Sequence, residues 1–222
     1  MGVAQGSTID RRRVLALFLG IALAVTAIDQ ITKHLTVVYL DDREPVKVLG
    51  GLVYLMHVRN SGAAFSMGTG VTWVFPIVAL VVLVVLGFVI RNVRSTPWAV
   101  ALGLVLGGVI GNLGDRLFRS PGPFMGHVVD MVSLLDERGR GFPVFNGADS
   151  ALTIGVAFII LLELTGRQRD GTRLPSRAEQ KAAEQKAAEE KAAEQKPAER
   201  KPAEETAAGG GASRSGEEAG TA

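Results

Sequence analysis

Long apolar stretches constrain this chain more than any other feature. Four of them, at about residues 13–33, 73–91, 98–117 and 149–165, carry few charged side chains. About 20 helical residues cross the hydrocarbon core of a bilayer, and a helix satisfies its own backbone donors and acceptors on the way. The second stretch is nearly unbroken, "VFPIVALVVLVVLGFVI", while the fourth is a little short and gains a turn from its flanks. Soluble core helices would carry polar stripes, which these runs almost lack. The expectation is an all-α membrane protein with four transmembrane helices. The first run follows "RRR" and resembles a secretory signal, but its length and the three later runs favour an uncleaved anchor.

Basic residues then orient the spans. Arg11, Arg12 and Arg13 precede the first, Arg91 and Arg94 join the second to the third, and Arg167, Arg169, Arg173 and Arg177 follow the fourth. The positive-inside rule places all three sites in the cytoplasm, which suits an even number of spans. The connections at about 34–72 and 118–148 are then extracytoplasmic. The first contains "VKVLGGLVYLMHVRNSGAAF", whose β-branched and aromatic residues flank a Gly-Gly turn signal, so a small β-structured cradle on the membrane surface is expected there. In the second, the Gly and Pro residues of "FRSPGPF" and "ERGRGFP" forbid a long helix.

Composition separates two unlike parts. The chain is 47% hydrophobic and 21% charged, with the apolar residues concentrated before about residue 166. The expected organisation is a cytoplasmic N-terminus at 1–12, a four-helix membrane domain at 13–166 and an Ala/Glu/Lys-rich cytoplasmic tail at 167–222. The tail repeats every five residues, "AEQKAAEQKAAEEKAAEQK", a period that builds no apolar stripe, so it reads as a solvated helix or disordered extension. A net charge of +2 without a basic patch interleaved with aromatics gives no reason to expect nucleic acid. The absence of cysteine excludes disulfides, zinc thiolates and a cysteine nucleophile. No HExxH motif occurs and the three histidines are scattered, so neither a metal nor another cofactor is expected.

Within the spans, Gly103, Gly107 and Gly111 share one helix face and read as a packing seam. The expected topology also brings distant polar residues to one depth near the outer boundary. Asp29 and Lys33 end the first span, Asn112, Asp115 and Arg116 end the third, and Asn146 and Asp149 begin the fourth, with Asp130 in the connection before it. Bland readings exist for several of these. Asp29 and Lys33 are spaced i, i+4 and suit an ion pair, Asp115 and Arg116 could form another, and Asp149 suits a helix N-terminus. Asp130, followed by "MVSLL", has no such excuse. Two carboxylates brought close cannot both ionise cheaply, so they share a proton. One can then draw a proton from water while the other polarises a carbonyl, which is metal-free amide hydrolysis.

Five blocks carry a family likeness: "DQITK" (29–33), "NSGAAFSM" (60–67), "GGVIGNLGDRL" (107–117), "VVDMVSL" (128–134) and "FNGADSALTIG" (145–155). In this order, the sequence resembles lipoprotein signal peptidase (signal peptidase II) over about residues 12–165. The resemblance implies a membrane aspartyl endopeptidase of the bacterial cytoplasmic membrane. Such an enzyme cuts diacylglyceryl-modified prolipoproteins just before the lipidated cysteine. It implies a catalytic dyad at Asp130 and Asp149. Substrate-positioning or dyad-supporting roles fall on Asn60, Gly62, Asn112, Arg116, Asn146 and Ala148, with Asp29, Lys33 and Asp115 beside them. It also implies inhibition by globomycin-type cyclic peptides, contact with membrane lipids and a monomer. The fourth block ends in "SL" where members often show a nearby aromatic residue, which bears on substrate preference. Two other readings stay open: a small transporter, which would want ionisable groups at mid-bilayer, and a scaffold whose tail recruits a partner.

Overall fold

The computed structural model describes residues 10–62 and 71–194. The N-terminal nine residues, positions 63–67 of the second sequence block and the tail beyond residue 194 lie outside the described residues. Among the described residues four helices are long and apolar enough to cross a membrane: α1 (Arg11–Leu40), α2 (Val74–Val89) with the 3-10 turn that extends it to Asn92, α3 (Thr96–Phe118) and α4 (Gly147–Leu164). Each covers an expected span. The largest difference is α1, which runs 30 residues and ends only at Leu40. No Pro or Gly interrupts residues 21–40, so nothing stops the helix where the apolar run gives out. Its length of about 45 Å exceeds the hydrocarbon thickness. The surplus carries Thr36 to the sheet, where its hydroxyl lies 3.4 Å from Met131 Sδ.

A three-stranded antiparallel sheet of β1 (Val46–Val48), β2 (Val53–Asn60) and β3 (Val128–Leu134) completes the unit, in the order β1-β2-β3. Sequence patterning anticipates the β1–β2 hairpin around its Gly-Gly signal. It does not anticipate that the second connection supplies a strand to the same sheet. The register sets Asn60 opposite Val128 and Val58 opposite Asp130, with an irregularity between Leu55 and Val58. On the other side of β3, the Met131 and Val132 amides donate to the Phe145 carbonyl at 3.0 and 2.9 Å. β3 thus reaches the entrance of α4.

α3 is the hub of the bundle: 67% of its apolar window is buried, against 17–22% in the other three helices. Glycine makes that contact possible. A Cβ on Gly103 would sit 2.9 Å from the Phe18 carbonyl oxygen, and one on Gly107 2.6 Å from Val25 Cβ, so α1 rests on the seam the sequence displays. On the α4 side, a Cβ on Gly108 would lie 2.5 Å from the Ala148 carbonyl oxygen. The outward faces are apolar. Leu19, Leu23 and Ile31 on α1, Val81 and Val84 on α2 and Ile154 and Leu161 on α4 are exposed, as lipid-facing residues of a membrane bundle should be. The four helices and the sheet belong to a compact unit ending at Ser176. A second unit contains α5 (Arg177–Glu194), whose described side chains are all exposed.

Candidate active site

The site begins with three asparagine side chains whose orientations are each fixed by a bond to the amide oxygen. Asn60 Oδ1 accepts from the Gly62 amide at 2.9 Å, which leaves Nδ2 to donate to Asp130 Oδ2 at 2.9 Å. Asn112 Oδ1 accepts from Lys33 Nζ at 2.9 Å, so its Nδ2 faces Asp149 Oδ1 at 2.7 Å. Asn146 Oδ1 accepts from the Asp149 amide at 2.8 Å, and its Nδ2 reaches Asp130 Oδ1 at 2.7 Å. The fourth carboxylate oxygen, Asp149 Oδ2, accepts from the Asn146 amide at 3.2 Å. Every oxygen of both aspartates therefore has a donor, and Asn146 bonds to both. An amide oriented in this way can be reversed only by sacrificing its other bond.

Local sequence explains how each group arrives there. Asn146 is the N-cap of α4 and Asp149 its N3 residue, together forming a capping box. The bland reading of Asp149 as a helix-start residue is thus correct as far as it goes, and the same carboxylate also bonds to Asn112. Asp130 stands on the strand that β2 and Phe145 hold from either side, and it is 2% exposed. Burial is the main cause that pushes its pKa up to about 7, helped by the charge of Asp149 and opposed by the donors Asn60 and Asn146.

Beneath the aspartates lies an ion-pair cluster. Lys33 Nζ is 2.8 Å from Asp29 Oδ2 and 2.7 Å from Asp115 Oδ2, with all three side chains inaccessible to solvent. Asp115 Oδ1 also accepts from Arg119 Nε at 2.6 Å. Two carboxylates and two cations balance, the condition under which such a buried set is tolerable. Asp29 Oδ1 accepts from the Ala148 amide at 2.8 Å, tying α1 to the first turn of α4. Gly111 permits the approach, since a Cβ there would be 2.6 Å from Asp29 Oδ2. The expected Asp29–Lys33 pair is present. An Asp115–Arg116 pair is replaced by pairing of Asp115 with Lys33 and Arg119, because consecutive helical residues point about 100° apart.

Arg116 instead gathers backbone carbonyls. Its Nη1 donates to Asn60, Ser61 and Gly126, each at 3.1 Å, and its Nη2 donates to Gly62. Its guanidinium carbon lies 5.1 Å from the centre of the Phe75 ring. All eleven residues singled out from the sequence therefore fall in one bonded neighbourhood. Two others were missed. Arg119 could have been found from its i, i+4 spacing to Asp115. Gln30, which donates to the Gly111 carbonyl at 2.9 Å, gives no such sign.

The aspartates open on a cavity of about 920 Å³ between α2, α3 and α4, roofed by residues 142–145. Its walls are mostly apolar, with Phe75, Val78 and Val82 on one side and Leu152 and Val156 on the other. Asn60, Asn112, Arg116, Asp130 and Asp149 contribute its polar groups. A mainly apolar trough meeting two hydrogen-bonded carboxylates suits a lipid-soluble substrate with one reactive polar bond.

The model of the family described as signal peptidase (SPase) II matches residues 21–165. The chain belongs to the signal peptidase II family. This makes it a peptidase, and its four apolar helices make it a multi-pass membrane protein. A lipoprotein signal peptidase of Rhodococcus jostii (strain RHA1) is 46% identical over 172 residues, covering 78% of this chain and 84% of the relative. Another, from Streptomyces coelicolor (strain ATCC BAA-471 / A3(2) / M145), is 42% identical over 169 residues, covering 76% and 80%. A solved structure described as a bacterial membrane enzyme, obtained by the in meso method at 2.3 Å resolution, aligns with a TM-score of 0.58 and 28% identity. It covers 72% of this chain and 92% of its own. A second, at 1.9 Å resolution, aligns at 0.57 with 31% identity, covering 66% and 92%. All five sequence blocks, and with them the eleven residues singled out from the sequence, lie inside the matched segment.

Proposed function

We propose that this signal peptidase II hydrolyses diacylglyceryl-modified prolipoproteins just N-terminal to the lipidated cysteine, with Asp130 and Asp149 as a water-activating dyad. The observation that carries the reading is the shared partner: Asn146 donates to Asp130 through its side chain and to Asp149 through its backbone amide, holding a buried and a half-buried carboxylate at one end of an apolar trough. In the singly protonated pair, the ionised member takes a proton from water as the hydroxide attacks the scissile carbonyl carbon. The protonated member gives its proton to the carbonyl oxygen. A gem-diol results. It collapses as the first aspartate returns its proton to the amide nitrogen and the second takes a proton back from one gem-diol hydroxyl, so the C–N bond breaks and the pair regains its starting state. Asn60, Asn112 and Asn146 hold the carboxylates in place, and the bonds from Lys33 and Gly62 keep two of those amides from turning.

The substrate suits the trough because its signal peptide is itself an apolar helix and its lipid lies beside the cut. We place the dyad at the outer face, with the N- and C-termini in the cytoplasm. Arginines at both ends of the span set and in the α2–α3 connection support that orientation. The sheet then forms an extracytoplasmic cradle, globomycin-type peptides occupy the trough, and the working unit is a monomer in contact with membrane lipid. Activity needs no cofactor in this scheme. The test is cleavage of a purified prolipoprotein with and without its diacylglyceryl group, with the product termini identified by mass spectrometry. A new N-terminal lipidated cysteine, formed only from the modified substrate, is the expected result. Equal cleavage of both substrates, or a cut elsewhere, would reject the assignment.

A further inference from the structure

The opposite end of the bundle has an architecture of its own that the peptidase reading does not use. Val14 of α1, Val93, Trp98 of α3 and Leu162 of α4 belong to one buried cluster, so the corresponding ends of these helices meet there. Along α3, Trp98 is about 21 Å from Asn112. The chain does not simply leave the membrane after α4. Residues 166–174 form a hairpin in which the Leu174 amide donates to the Gly166 carbonyl and the Gln168 amide to Thr172, both at 2.9 Å. Arg167 and Arg173 pair across it. Two bonds fasten this hairpin to the start of α3. The Arg94 amide donates to the Arg169 carbonyl at 2.7 Å, and the Trp98 indole Nε1 to the Arg167 carbonyl at 2.8 Å.

The consequence is electrostatic. The hairpin and the α2–α3 connection bring Arg91, Arg94, Arg167, Arg169 and Arg173 to one surface, all exposed, against the carboxylates of Glu163 and Asp170. Five cations against two anions leave a surplus on a patch whose backbone is pinned in place. Two of the guanidiniums are also held by rings: Arg91 lies 4.8 Å from the Phe88 centroid and Arg169 5.2 Å from that of Trp98. Immediately adjoining are Phe88 (58% exposed), Leu161 (54%) and Leu164 (81%), which have the outward apolar character of the lipid-facing bundle.

We infer that this arginine cap is a binding surface for the phosphate groups of anionic phospholipids. A planar guanidinium matches phosphate oxygens in a forked geometry, and an ordered group of them loses less freedom on binding than flexible lysines would. The adjoining Phe88, Leu161 and Leu164 set the cap at the boundary where hydrocarbon gives way to headgroups. A lipid can satisfy both surfaces with one molecule, whereas a soluble phosphate satisfies only the first. The inference concerns the membrane-embedded bundle and stands whether or not Asp130 and Asp149 are the catalytic pair.

The test uses the full chain purified in neutral detergent and exposed to equal amounts of phosphatidylglycerol and phosphatidylcholine, with retained lipid counted by native mass spectrometry. Wild type is expected to retain phosphatidylglycerol selectively. The combined change Arg94→Gln, Arg169→Gln and Arg173→Gln should lower that selectivity by about fivefold or more, the effect of losing even one such arginine. The matching triple change to Lys, which keeps the charge but loses the fork, should leave a selectivity between those of wild type and the Gln variant. Prolipoprotein cleavage in neutral micelles serves as the folding control and should be unchanged in both triple variants. If the Gln variant is misfolded, the wild-type comparison and the Lys variant still decide. Equal retention of the two lipids by wild type overturns the inference, and so does displacement of phosphatidylglycerol by millimolar inorganic phosphate, which would assign the patch to a soluble anion.

Discussion

Asp130 is a buried carboxyl held well above the usual carboxylate range. With its pKa raised from 3.8 to about 7, the folded protein keeps a proton on this carboxyl that the unfolded chain has released. The stabilising contribution is therefore fully present below pH 3.8 and is lost as the pH rises through about 7. Thermal unfolding in detergent should show melting temperature declining across that window, and Asp130→Asn should flatten the decline. Catalysis should respond in the same range. Cleavage should fall as the pH climbs above about 7, because the pair then loses its shared proton. A pH–rate profile at saturating substrate checks this. Lys33 makes the complementary point. It neutralises Asp29 and Asp115 in a site without solvent, so Lys33→Met leaves buried carboxylates uncompensated. The expected cost is about 3–5 kcal/mol, read as a lowered unfolding midpoint. Cleavage should fall with it as Asn112 loses the bond that orients its amide.

At the scale of helices and strands, close backbone contact is what brings these side chains together. Gly108 has no room for a methyl group beside the Ala148 carbonyl, one residue from Asp149. Gly108→Ala should destabilise the protein by about 1–3 kcal/mol and lower kcat by shifting the first turn of α4. A melting curve and a steady-state assay on the same preparation would separate the two effects. Much of this scale is legible in the sequence. Helix length and apolarity reveal the four spans, and the four-residue glycine spacing reveals the seam that α1 occupies. The β1–β2 hairpin announces itself by its Gly-Gly turn. β3 does not, because "VVDMVSL" is buried on both faces and lacks the alternation that marks a half-exposed strand. The end of α1 at Leu40 is equally hidden, since hydropathy fades near Lys33 while backbone geometry lets the helix continue.

For the molecule as a whole, the sequence locates the polar residues at one depth, but it cannot say which of them bond. That information lies in tertiary contacts between residues far apart in the chain: Asn60 with Asp130, Asp29 with Ala148, Lys33 with Asp115. Local spacing proposed Asp115 with its neighbour Arg116, whereas the fold assigns one to cations and the other to carbonyls. The two-unit division makes a further prediction. Since α5 begins the second unit and the proposed dyad lies wholly in the first, ending the chain after Ser176 should leave kcat/KM for a prolipoprotein unchanged. The decisive measurement is kcat/KM for diacylated prolipoprotein with purified Asp130→Asn and Asp149→Asn, each verified as inserted and folded by its melting curve. The dyad predicts losses of about 10²–10⁴-fold or greater in both variants. A near wild-type rate in either one would remove that aspartate from the chemistry and contradict the account.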